Sequence, residues 1–209
     1  IVWVIKQDHE DENLLFIGTE FGLYFSYNKG VNWIELGAGV PTIPFRDIEL
    51  HRRDDDLVGA SFGRGFYVLD DYTPLREIRA AVTVNSNTLF SVRDTWWYVP
   101  YVPMQAKGMP TLGSTSFVAE NPPFGAIFTY YLHELPQTAK TERRNAEKTF
   151  REQNASVPFP GWEALRTESY EGAARALLLV RDESGDPIRW IEGANQKGLH
   201  RTNWDLRLP

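Results

Sequence analysis

Two stretches of this 209-residue chain repeat each other at an interval of about 42 residues. Leu14-Leu15-Phe16-Ile17-Gly18-Thr19 aligns with Asp56-Leu57-Val58-Gly59-Ala60-Ser61, and Gly22-Leu23-Tyr24-Phe25 aligns with Gly65-Phe66-Tyr67-Val68. The offsets are 42 residues for the first pair and 43 for the second. Each unit is a run of short apolar segments cut by polar turns, a pattern that excludes paired solenoid helices. In the first unit strands are predicted over 3–6, 14–19, 23–27 and 32–36. In the second they are predicted over 45–50, 57–61 and 66–70, with an outer strand over 75–78. Pro41 and Pro44 fall between the units, where a missing backbone donor harms no ladder.

A period of about 40–45 residues built from four short strands is that of β-propeller blades. Two blades cannot close a ring, so the remaining blades are expected upstream or in other chains. The chain begins at Ile1, without Met, inside the apolar alternation Val2, Val4, and that start reads as a cut. Composition agrees with a mainly β protein: 7 Trp, 9 Tyr and 12 Phe favour the pleated surface of a sheet. The absence of cysteine removes disulfides, thiolate metal sites and cysteine nucleophiles.

The segment Ser26-Tyr27-Asn28-Lys29-Gly30-Val31-Asn32-Trp33 resembles the Asp-box (BNR repeat), a hairpin motif of the form Ser-x-Asp-x-Gly-x-Thr-Trp. Ser26 and Asn28 are expected to hydrogen-bond the turn backbone, Gly30 to take a conformation that a Cβ penalises, and Trp33 to bury its ring beneath the hairpin. Asn28 and Asn32 replace the Asp and Thr of the pattern. The motif occurs in sialidases, yet Asn is no general acid or base, and a structural role is expected. Further on, Gly63-Arg64-Gly65-Phe66-Tyr67-Val68-Leu69-Asp70-Asp71 resembles the closing blade of large bacterial Asp-box proteins, of the kind labelled glycosyl hydrolase or sortilin-like. Arg64 is expected to pair with Asp70 or Asp71, with a ligand-facing role for these three as the alternative. Adjacent Asp residues on a strand end face opposite ways, which argues against a joint acid and base role.

The pattern weakens after residue 79. Trp96 and Trp97 lead an aromatic run that would either stack on sugar rings or a partner surface or, the preferred reading, pack a seam between two domains. A strand is expected over 116–119 and another over 126–132. Charged helical sequence follows over 138–153, and a short helix over 161–171 is expected to dock Trp162 and Leu165 on a sheet. Strands over 175–181 and 187–191 and the ending Trp204-Asp205-Leu206-Arg207 resemble the Ig-like or fibronectin type III-like domain that follows the propeller in the same bacterial family. The expected fold class is thus mainly β, the last blades of a β-propeller followed by an antiparallel Ig-like β-sandwich with a helical insertion. The expected division is 1–79 for two terminal blades, 80–113 for a linker or seam and 114–209 for the sandwich, with the insertion around 138–171.

No catalytic constellation stands out. His9, His51, His133 and His200 share no metal-ligand spacing, and the acidic runs over 8–12 and 54–56 read as solvated turns and not as calcium loops. No phosphate loop, dinucleotide fingerprint or nucleophile elbow is present. No catalytic, cofactor-binding or metal residue and no cofactor is therefore assigned. A net charge of -6 disfavours nucleic acid, and no apolar run is long enough to span a membrane. The expected partners are the remaining blades, with carbohydrate or peptide as ligand. The resemblance implies an exported protein, periplasmic or extracellular. The leading expectation is a non-catalytic structural and binding portion of it. The alternatives are part of a sialidase-like glycoside hydrolase whose carboxylates lie upstream, or a sortilin-like peptide-binding propeller.

Overall fold

A computed structural model describes residues 1–37, 39–98 and 121–208, with residues 83 and 84 as backbone alone. The first repeat unit is an antiparallel meander of β1 (Val2–Gln7), β2 (Leu15–Thr19), β3 (Gly22–Ser26) and β4 (Ile34–Glu35), hydrogen-bonded in that order. The second is a meander of β5 (Phe45–His51), β6 (Asp56–Ser61) and β7 (Gly65–Leu69).

Side chains alternate across each sheet, so pairing determines which residues share a face. Phe16 lies opposite Phe25, and Gly18 lies opposite both Leu23 and Val4. That face of the first sheet packs on the second, where Ile48 opposes Gly59 and Gly59 opposes Tyr67. Glycine is needed at the contact. A Cβ on Gly18 would lie 2.6 Å from the Phe45 carbonyl oxygen, and one on Gly59 would lie 2.9 Å from the Leu23 side chain. Phe16, Leu23, Phe25, Phe45, Ile48 and Leu57 form the centre of the core.

Each sheet also has an apolar face turned away from the other. In the first sheet Ile5 opposes Ile17, which opposes Tyr24, and Ile5 is 58% exposed. In the second Val58 opposes Val68 and Ala60 opposes Phe66, which is 75% exposed.

Residues 75–78 do not form the expected outer strand. They begin the helix α1 (Pro74–Val84), and the second sheet keeps three strands. Pro74 lies in the first turn, where its missing N–H has no intrahelical partner to lose. Leu75, Ile78 and Ala81 recur at helical spacing and are buried in the core shared with the sheets. Asn85, at φ 52°, ends the helix in the left-handed region and donates its N–H to the Val82 carbonyl.

The rest of the described chain comprises β8 (Thr88–Leu89), β9 (Ala126–Leu132), α2 (Ala139–Glu152), α3 (Trp162–Tyr170), β10 (Ala176–Arg181), β11 (Pro187–Gly193) and β12 (Gly198–Trp204). One sheet has the order β12-β9-β8, and β10 and β11 form a separate hairpin. All pairings are antiparallel, and twelve strands against three helices make the described residues mainly β. β8 lies in the stretch expected as linker yet pairs with β9. The strand expected over 116–119 lies outside the described residues, as does the part of 80–113 beyond residue 98.

Both expected helices form, α2 within 138–153 and α3 within 161–171. Thr138 caps α2 by accepting the Thr141 N–H at 3.3 Å, and Arg143 on α2 donates to Glu168 on α3 at 2.7 Å. Neither helix buries a residue. The expected docking of Trp162 on a sheet is not observed, because its ring stands in solvent against Phe159, with centroids 5.2 Å apart.

Candidate functional site

The turn after β3, expected as an Asp-box, is closed by two of its own side chains bonded to its backbone. The Ser26 hydroxyl is fully buried, accepts the N–H of Asn28 at 3.3 Å and of Gly30 at 2.8 Å, and donates to Asn28 Oδ1 at 3.0 Å. Asn28 Oδ1 also accepts the Asn32 N–H at 2.9 Å. Gly30 sits at φ 86°, with the Trp33 ring where a Cβ would come within 3.3 Å. Trp33 covers this turn but remains 37% exposed, so its ring is not buried beneath the hairpin as expected. The Ser26 hydroxyl and the Asn28 amide oxygen are thus spent on the turn. Ser26→Ala is expected to cost about 1–3 kcal/mol in a urea titration, the penalty for unpaired buried donors, while Asn28→Asp is expected to stay within about 1 kcal/mol of the parent.

Arg64 and the two Asp residues lie at opposite ends of β7. Arg64 is at the tip of the β6–β7 turn between Gly63 (φ 77°) and Gly65 (φ 84°), and among the described residues no carboxylate lies within 4.0 Å of it. The expected pairing with Asp70 or Asp71 is therefore replaced by another arginine. A five-residue strand at about 3.3 Å per residue holds them too far apart. Arg201, from β12, donates Nη1 to the Asp70 carbonyl at 2.6 Å, Nη2 to the Asp71 carbonyl and Nε to Thr129 Oγ1 at 3.2 Å. Burial pushes the Arg201 guanidinium down, against the attraction of Asp71 and Asp70. The Asp71 carboxylate accepts from Thr73 Oγ1 at 2.6 Å and lies 3.5 Å from Arg93, and Asp70 is raised by burial and by neighbouring Asp56. The double Asp is thus a joint between the second meander and the C-terminal sheet.

A third group joins residues more than 60 positions apart. Asp8, in the β1–β2 turn, is fully buried at its carboxylate, which accepts from Tyr72 Oη at 2.7 Å, from Arg76 Nε at 2.7 Å and from Arg76 Nη2 at 2.9 Å. Arg76 also reaches Glu10 at 2.6 Å and Asp55, in the β5–β6 turn, at 2.7 Å. The acidic runs are not simply solvated turns, since Asp8 and Asp55 from the two runs converge on one guanidinium. Burial pushes the Asp8 carboxyl up, but the hydrogen bonds from Arg76, Tyr72 and the Asp11 N–H, with the Arg76 charge, hold it well below the usual carboxylate range. Burial and then the Asp8 carboxylate raise the Tyr72 phenol. Asp8 is held ionised and Tyr72 protonated, and the buried pair ties the β1–β2 turn to the start of α1.

Two carboxylate clusters hold a histidine: His9 with Glu10 and Asp55, and His51 with Asp54 and Asp56. In the first the cation is Arg76 itself. In the second Asp54 is engaged by Arg53 at 2.8 Å and by His51 at 3.1 Å, and Asp56 accepts the Asp71 N–H at 2.9 Å.

An open cleft of about 880 Å³ is lined by Arg53, Asp54, Arg93, Asp94, Thr95 and Trp96. Trp96 is 87% exposed and Trp97 78%. The Tyr98 ring, itself half exposed, meets Phe124 edge-on at 5.0 Å, and among the described residues neither tryptophan packs the expected seam. Among the described residues no helix is long and apolar enough to cross a membrane. No protein-family model, no curated protein and no solved structure matches the chain.

Proposed function

We propose that this chain is a non-catalytic structural and binding portion of an exported Asp-box β-propeller protein, in which the two meanders are successive blades and the C-terminal strands belong to an Ig-like domain. The observation that carries the reading is the face-to-face packing of two meanders offset by the sequence repeat, through Gly18 and Gly59, with apolar faces left on both outer sides. Such faces suit further sheets of the same kind, and Arg201 would fasten the last blade to the domain behind it. The ligand class favoured is carbohydrate or peptide, since the net charge of -6 opposes nucleic acid. The Ser26 hydroxyl, the Asn28 amide oxygen and the Asp8 carboxylate are consumed internally, which supports a role without chemistry at these groups.

A panel of aryl glycosides incubated with the purified chain tests this. Release of the phenol no faster than the buffer blank is expected. Hydrolysis above the blank that disappears in Asp70→Asn or Arg64→Gln would overturn the non-catalytic reading.

A further inference from the structure

Two β-bulges occupy equivalent places in the two meanders. In β1 the register skips between Val2, opposite Thr19, and Val4, opposite Gly18, and leaves Trp3 unpaired. In β5 it skips between Phe45, opposite Ser61, and Asp47, opposite Ala60, and leaves Arg46 unpaired. Trp3 and Arg46 are 43 residues apart, the same interval as Gly22 and Gly65. A bulge turns its extra residue out of the regular pleat, and such departures are common beside sites where a side chain must be re-aimed.

Here the two re-aimed side chains meet. The Arg46 guanidinium carbon lies 3.4 Å from the centroid of the Trp3 ring and 5.1 Å from that of Phe62. The Trp3 ring is anchored at its indole edge, and Phe62 through its backbone. Trp3 Nε1 donates to Glu20 Oε2 at 3.0 Å, and the Phe62 N–H donates to the Pro44 carbonyl at 2.9 Å. Among the described residues the Arg46 side chain makes no hydrogen bond and has no carboxylate within 4.0 Å, unlike Arg76, Arg143 or Arg201. A stacked guanidinium keeps its in-plane N–H groups free, in the fork that matches a carboxylate. The stack holds the plane in advance, so little side-chain entropy remains to be lost when a ligand arrives.

We propose that Arg46, stacked on Trp3 beside Phe62, is a binding site for a small carboxylate ligand at this end of the two meanders. The carboxylate takes the free N–H edge, and the body of the ligand extends over the exposed Phe62 ring. The site stands on contacts within the two sheets and does not depend on further blades or on the propeller reading.

The test is an NMR titration of the 209-residue chain, following the Trp3 indole N–H resonance assigned with Trp3→Phe. The probes are glucuronate, for an acidic sugar, and N-acetylphenylalanine, for a peptide terminus, each alongside its methyl ester. A saturable shift with at least one free acid, absent with its ester and weakened about tenfold or more in Arg46→Gln, is expected. The acid that saturates identifies the source of the carboxylate. Arg46→Lys, which keeps the charge but loses the planar fork, is expected to weaken binding several-fold, and it carries the test if the Gln variant fails to fold. No shift with either acid, an equal shift with the ester, or unchanged affinity in the folded variant would overturn the assignment.

Discussion

Arg76→Leu is expected to destabilise the chain by about 3–5 kcal/mol, because it leaves the carboxylate of Asp8 buried without its partner. Arg76 gathers Asp8 from the first meander and Asp55 from the second while lying on the helix that follows both. Removal of one side chain therefore loosens three elements at once. Urea unfolding followed by tryptophan fluorescence reads the loss directly. The double variant Asp8→Asn/Arg76→Leu is expected to lose less than the two single variants together, since neutralising Asp8 removes the stranded charge. A loss below about 1 kcal/mol in Arg76→Leu would contradict the assignment of this network as a structural joint.

The same network sets the acid response. The folded-state pKa of Asp8 lies below its unfolded value of about 3.9, so its contribution is complete above that pH. It declines as the pH falls from about 4 toward the depressed folded-state value. Urea midpoints measured from neutral pH down to about pH 3 are expected to fall more steeply for the parent than for Asp8→Asn.

Phe45→Ala is the second large effect, expected at about 3–5 kcal/mol. Phe45 is fully buried, its carbonyl sits over Gly18, and its ring lies against Gly59 and edge-on to Tyr67 at 5.4 Å. The cavity left by the ring would open at the contact between the two sheets, where the close approach at both glycines leaves little room for collapse. Differential scanning calorimetry is expected to show a marked fall in Tm with the transition still cooperative. A change of less than about 1 kcal/mol would mean that the two sheets do not share one core.

The strands of both meanders were legible because apolar alternation, glycine turns and the 42-residue interval all point the same way. The turn after β3 was legible for a related reason: Ser26, Asn28 and Gly30 act within a few positions of one another. α1 is less legible, because the four residues from Leu75 to Ile78 are too few to separate a strand from a helical turn. The helical signal lay in the wider spacing to Ala81, with Pro74 at the start. The joints were not legible. Asp8 and Arg76 are 68 positions apart, and Arg201 meets Asp70 across 131, so no local spacing announces either contact. Arg64 and Asp70 looked like partners because they are near in sequence, but an extended strand separates what it joins. The stack of Arg46 on Trp3 is not legible either, because its signal is a bulge, which shows in the register and not in the residue types.

The claim that the two meanders are successive blades predicts that their outer apolar faces are covered in the complete gene product. Hydroxyl-radical footprinting with mass spectrometry measures this at Ile5 on one side and at Phe66 and Val68 on the other. Strong labelling in the isolated 209-residue chain and protection of all three in the complete product is the expected result. Equal labelling of these residues in both forms would contradict the account.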